Sequence, residues 1–76
     1  VYDITFQNAG VLTSQPHARG AVEQLAVLDG RVKVTSGTAI SEIAVGDTAR
    51  YAADVPHEIA AIGGPARVFL IVKSTA

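Results

Sequence analysis

The sequence predicts an all-β domain, a sandwich or barrel of short antiparallel strands. Three observations predict it. Turn-forming clusters recur at short intervals (Asn8-Ala9-Gly10, Asp29-Gly30, Ser36-Gly37, Gly46-Asp47 and Gly63-Gly64-Pro65), with β-prone runs between them. Those runs either alternate apolar and polar residues or are wholly apolar, and none carries a long helical period with caps. The apolar share is 49% with only 5% aromatic, so the core has to come from Val, Ile, Leu and Ala, a set that suits a packed β core.

Each run can be justified in turn. Tyr2, Ile4 and Phe6 alternate with Val1, Asp3 and Thr5, which reads as a half-buried strand closed by Asn8-Ala9-Gly10. Residues 22–28 form the next strand; Glu, Gln, Leu and Ala there also tolerate helix, but the run is short and stops at Asp29-Gly30. That dipeptide suits the positive φ values of a type I′ hairpin turn. Val32 and Val34 then face the core while Arg31 and Lys33 face water. Ser36-Gly37 turns the chain into a weaker strand over 38–43, and Gly46-Asp47 turns it into 48–52. After Pro56, the residues His57, Ile59 and Ala61 share one face and Glu58, Ala60 and Ile62 the other. The last strand carries five consecutive apolar residues, Val68 to Val72, the pattern of a strand buried on both faces.

Size and charge narrow the function. A chain of 76 residues is one small domain, a size at which a disulfide, a metal or a partner chain commonly adds stability. There is no cysteine, so disulfides and thiolate metal sites are excluded, and a reducing cytoplasm is the compartment this composition fits. A metal held by His and carboxylate stays open, as does self-association. The formal charge is −1 with no block of Lys or Arg, which argues against direct nucleic-acid contact. The longest apolar run is too short to span a bilayer, and no charged-then-apolar leader opens the sequence as given. No methionine occurs anywhere, so residues 1–76 are expected to be one domain cut from a longer protein. Neither a nucleophile elbow around Ser14, Ser36, Ser41 or Ser74 nor a phosphate-binding glycine loop is present.

Chemistry concentrates in two segments. The first runs from Gly10 through Gln15-Pro16-His17 and Glu23 to Gly30. The second runs from Gly46-Asp47 through Tyr51 and Asp54-Val55-Pro56 to His57. This order of turns and histidines resembles the cupin superfamily, whose members are small antiparallel jelly-roll barrels of the double-stranded β-helix type. The resemblance covers Gly10 to His57. In the family the first motif carries two histidines one residue apart, then a glutamate and a glycine. The second opens on a glycine, usually followed by Asp, and carries a third histidine. The second histidine falls on His17, the glutamate on Glu23, the closing glycine on Gly30, the next opening glycine on Gly46 and the last histidine on His57. The family's first histidine falls on Gln15, and the spacing from His17 to Glu23 is longer than usual. The four-ligand set is therefore not intact. The resemblance implies a metal site of His17, Glu23 and His57 for iron, manganese, nickel or zinc, with Gln15 or water completing it, and ligand binding by Gln15, His17, Glu23, Tyr51 and His57.

The variant pattern His17-x-x-Gly20-x-x-Glu23, followed by Val27-Leu28-Asp29-Gly30 and Ala53-Asp54-Val55-Pro56-His57, is similar to one subgroup: the C-terminal cupins of bacterial regulators with an N-terminal helix-turn-helix domain of XRE type. That resemblance implies a cytoplasmic homodimer that senses a small effector and reaches DNA only through a domain outside this chain. It implies no catalytic residues here; the competing implication is a metal-dependent cupin enzyme of dioxygenase or isomerase type, and a third is a bare dimerisation domain.

The residues also admit plainer roles. Alternation puts Glu23 on the face of Leu25 and Val27, yet the opposite face carries polar Gln24, so the pattern alone leaves the register open; the resemblance turns Glu23 inward. His57 on an apolar face fits a ligand or a core histidine bonded to backbone. Tyr51 fits the pocket mouth or the core. Asp47 and Asp54 are expected to cap turns through their own backbone.

Overall fold

The computed structural model describes residues 2–73; Val1 and Ser74 lie outside the described residues. Eight strands form: β1 (Tyr2–Phe6), β2 (Val11–Ser14), β3 (Val22–Asp29), β4 (Arg31–Ser36), β5 (Ala39–Ala44), β6 (Thr48–Ala52), β7 (His57–Ala61) and β8 (Ala66–Lys73). They build two four-stranded sheets, ordered β1-β8-β3-β6 and β2-β7-β4-β5, and every pairing is antiparallel. Consecutive strands mostly cross from one sheet to the other, which is jelly-roll connectivity, and the all-β expectation holds.

The core lies between the sheets. Leu25, Val27, Val68, Leu70 and Phe6 from one sheet meet Val32, Val34, Ile43 and Ile59 from the other. Period-two alternation decides which side chains get there: Val32 and Val34 are buried while Arg31 and Lys33 are exposed. The same alternation settles β3. Glu23, Leu25 and Val27 are buried, and Leu28 is exposed.

One strand was not anticipated, and three expectations need correction. Val11–Ser14 is a strand, β2, paired with β7; four residues with two hydroxyls are too few to show a period. β8 is buried on one face only, since Ala66, Val68 and Leu70 point inward while Arg67 and Phe69 are exposed. Its continuous apolar run therefore reflects a half-covered outer face, where Ile71 lies beside Phe69 in a shallow cleft with Ala26. The fifth strand begins at Ala39, not Thr38, and only Ile43 in it is buried.

Finally, Asp29-Gly30 is not a hairpin turn. β3 and β4 belong to different sheets, and of the pair only Gly30 has positive φ, at 75°. The dipeptide is a corner. The hairpin is at Gly37-Thr38, where Ser36 pairs with Ala39 across a two-residue loop.

Gly30 is required at that corner for two reasons. Its φ is left-handed, and a Cβ there would run into the Pro65 carbonyl oxygen and come within 3.0 Å of the Ala66 Cα. Gly46 has φ 92° with nothing within 4 Å of a Cβ. Gly46→Ala should therefore cost only the backbone term, about 1–2 kcal/mol. Gly30→Ala should cost measurably more, because the β7–β8 turn must also move. Urea unfolding of the two variants beside the parent chain measures the difference; equal losses would mean that the corner has room.

Candidate functional site

The register of the two sheets brings four side chains together. Glu23 on β3 pairs with Tyr51 on β6. His57, the first residue of β7, pairs with Ser14 on β2 and with Ser36 on β4 in the facing sheet. His17 arrives on the connection between β2 and β3. Glu23 is 2% exposed and His57 4%, while the His17 side chain is 42% exposed.

Glu23 organises the cluster. Its Oε2 lies 2.8 Å from Nε2 of His57 and 3.0 Å from Nε2 of His17. Its Oε1 accepts a hydrogen bond from the Tyr51 hydroxyl at 2.6 Å. The His57 and His17 ring centroids are 5.2 Å apart. The other nitrogen of His57 fixes its tautomer: Nδ1–H donates to the Val55 carbonyl at 2.8 Å, an atom that can only accept. Nε2 of a neutral His57 then presents a lone pair to a carboxylate oxygen that also presents lone pairs. Something positive has to sit between them, either a proton or a cation.

The donor set fits a cation. One nitrogen from each histidine and one oxygen of Glu23 lie within 4.8 Å of one another. Two ligands roughly 2.1 Å from an ion and at right angles to each other lie about 3 Å apart, close to the separations at Oε2. A backbone carbonyl holding the far nitrogen of a ligating histidine is the usual second layer of such a site. Without a cation, protons satisfy the group internally, and among the described residues no buried side-chain nitrogen or oxygen lacks a partner.

Burial, and then the hydrogen bond to Glu23, push the Tyr51 phenol well above its usual range. Tyr51 therefore stays a donor, and it occupies the carboxylate oxygen that the histidines leave. Outside the barrel, the Arg67 guanidinium hydrogen-bonded to Asp3 holds that carboxyl below its usual range; the pair is exposed and belongs to the surface.

A cavity of about 310 Å³ opens on the cluster. His17, Glu23 and Ser14 make its polar end, and Ile4, Leu12 and Leu70 are among its apolar walls. His17, Glu23, Tyr51 and His57 thus come together as a group. Gln15 is exposed on the loop after β2 and does not line this cavity. Asp54 does not cap its own turn. Its Oδ2 accepts from the backbone N–H of Gly20, 3.0 Å away. Sequence reasoning also missed Leu12 and Ser14, since β2 was not legible, and the Val55 carbonyl, a backbone contact with no sequence signal.

Known structures share this architecture. A helix-turn-helix (HTH_3) family transcriptional regulator from Vibrio cholerae superposes with a TM-score of 0.90 at 32% identity, covering 97% of this chain and 42% of that one. The Cupin_2 domain of an XRE family transcriptional regulator from Enterobacter cloacae superposes at 0.87 with 19% identity, covering 97% of this chain and 79% of that one. The cupin domain of Schizosaccharomyces pombe Cnp3 superposes at 0.80 with 11% identity, covering 96% and 53%. No family model and no curated relative matches the chain. The chain has the cupin fold. The 32%-identical neighbour is a helix-turn-helix family transcriptional regulator, and this chain spans less than half of it. Among the described residues no helix is long and apolar enough to cross a membrane.

Removing the Tyr51 hydroxyl should leave a buried carboxylate oxygen without its donor. Tyr51→Phe is expected to lower stability by about 1–3 kcal/mol, read by urea unfolding near neutral pH. The phenol's raised range also gives a sign. The folded chain favours the protonated phenol, so its contribution is complete below a pH of about 10 and declines as pH rises above that. In a Tyr2→Phe chain, phenolate absorption should therefore appear only together with alkaline unfolding; phenolate in a folded chain would contradict the buried bond.

Proposed function

We propose that this chain is the effector-binding and dimerisation domain of a longer bacterial transcriptional regulator, and that its effector is a small molecule with an apolar body and a polar end. One observation carries the reading: two imidazole nitrogens converge on one buried carboxylate oxygen at the polar end of a mainly apolar cavity. His17, Glu23 and His57 would hold a divalent metal, and Tyr51 would hold Glu23 in place. Such an ion supplies a Lewis-acid contact for the effector's polar group. The small core supports a homodimer, since a partner chain is a common remedy at this size. DNA would be reached through a separate domain, in the cytoplasm. Regulation then requires that the effector bind two arrangements of the parent protein with different affinity.

A second reading is a metal-dependent enzyme. Two histidines and one carboxylate with open positions are the donor set of non-haem iron oxygenases. An iron-requiring oxygenase activity that disappears in His57→Ala would favour it.

Metal content tests the site directly. The purified chain and His57→Ala are each offered iron, manganese, nickel and zinc separately and then desalted. The expected result is one ion per chain in the parent and none in the variant. If the parent retains no metal, the cluster is a proton-satisfied group, and the effector meets it without an ion.

A further inference from the structure

Three consecutive residues between β6 and β7 hold both histidines. The Ala53 carbonyl accepts from the His17 backbone N–H at 2.7 Å. The Asp54 carboxylate accepts from the Gly20 N–H at 3.0 Å. The Val55 carbonyl accepts from His57 Nδ1–H at 2.8 Å. His57 is also fixed by a strand on either side. His17 is not: it rides on residues 15–21, a connection with no strand pairing, and its side chain is the exposed member of the cluster.

That connection is tied to residues 53–54 at three points. Two are backbone bonds, from the His17 N–H to the Ala53 carbonyl and from the Ala53 N–H to the carbonyl of Ala21, the last residue of the loop. They do not depend on which residues stand there. The third, Asp54 to Gly20, is the only one among the described residues made by a side chain, and it holds the end of the loop that leads into β3, where Gly20 takes a left-handed φ of 81°. An ionised acceptor makes a shorter and stronger hydrogen bond than a neutral one. Half-buried Asp54 is not part of the apolar core.

We propose that Asp54 is the positioning residue for His17: by capturing the Gly20 N–H it holds the β2–β3 loop where the His17 imidazole meets Glu23. This rests on the reading of His17, Glu23 and His57 as one donor set. Asp54 touches neither imidazole and acts through the loop.

Two measurements test it. In the metal-free chain, nuclear Overhauser contacts between the His17 and His57 ring protons report the loop's position. They are expected in the parent and in Asp54→Asn, whose amide oxygen can still accept, and are expected to vanish in Asp54→Ala. Asp54→Ser, whose side chain is one atom short, is the second variant should Asp54→Ala fail to fold. With nickel as probe, Asp54→Ala should weaken binding toward the level of His17→Ala, because it acts only through that ligand. It should weaken binding no further in a His17→Ala background. Ring contacts that persist in Asp54→Ala, or an equal nickel loss in the His17→Ala background, would overturn the proposal. If the parent binds no nickel or other divalent ion, the metal reading of the site fails, and the ring contacts still decide the role of Asp54.

Discussion

A carboxylate almost wholly out of water has to be answered by donors or by a cation, because an isolated buried charge costs far more than a small domain can supply. Glu23 sets that demand at the centre of the barrel. Tyr51 answers one oxygen and the two histidines answer the other. Those answers come from β6, from the start of β7 and from the β2–β3 loop, so the register of both sheets is constrained by one side chain. If β3 slipped by a single residue, Gln24 would replace Glu23 inside and the hydrophobic face would turn outward with it.

The neighbours of the cluster fit the same constraint. Ser36 spends its hydroxyl on the Ala52 carbonyl at 2.7 Å, and the Gly37 N–H bonds to the Pro56 carbonyl. The β4–β5 hairpin therefore grips residues 52–56 from one side while the β2–β3 loop is tied to them from the other. Residues 53–55, which aim the histidines, are thus braced from both directions although they belong to no strand.

Much of this was legible in the sequence, and the reasons are specific. Alternation at Val32 and Val34 identified a buried face because Arg31, Lys33 and Thr35 flank the valines with polar residues. Alternation at 22–28 could not do the same, since Glu23 and Gln24 put a polar residue on each face; the order of His17, Glu23 and His57 supplied what the pattern did not. The β8 run misled because apolar residues on an outer face look the same in sequence as residues in a second buried face. The Asp29-Gly30 corner misled because a positive φ serves a sheet-to-sheet crossing as well as a hairpin. Asp54 was read as a local cap, since sequence shows the acceptor but not a donor 34 positions away.

The connectivity has a kinetic consequence. Apart from the β4–β5 hairpin, successive described strands lie in opposite sheets, so almost every ladder joins segments distant along the chain. Loop-closure entropy is lost before such ladders return any stabilisation, which places folds of this kind among the slow folders. The donor cluster draws on positions 17, 23, 51 and 57 and needs both sheets closed. A chain in which β7 has not yet paired can hold the Glu23–Tyr51 pair of β3 and β6, but not the His57 nitrogen that completes the site.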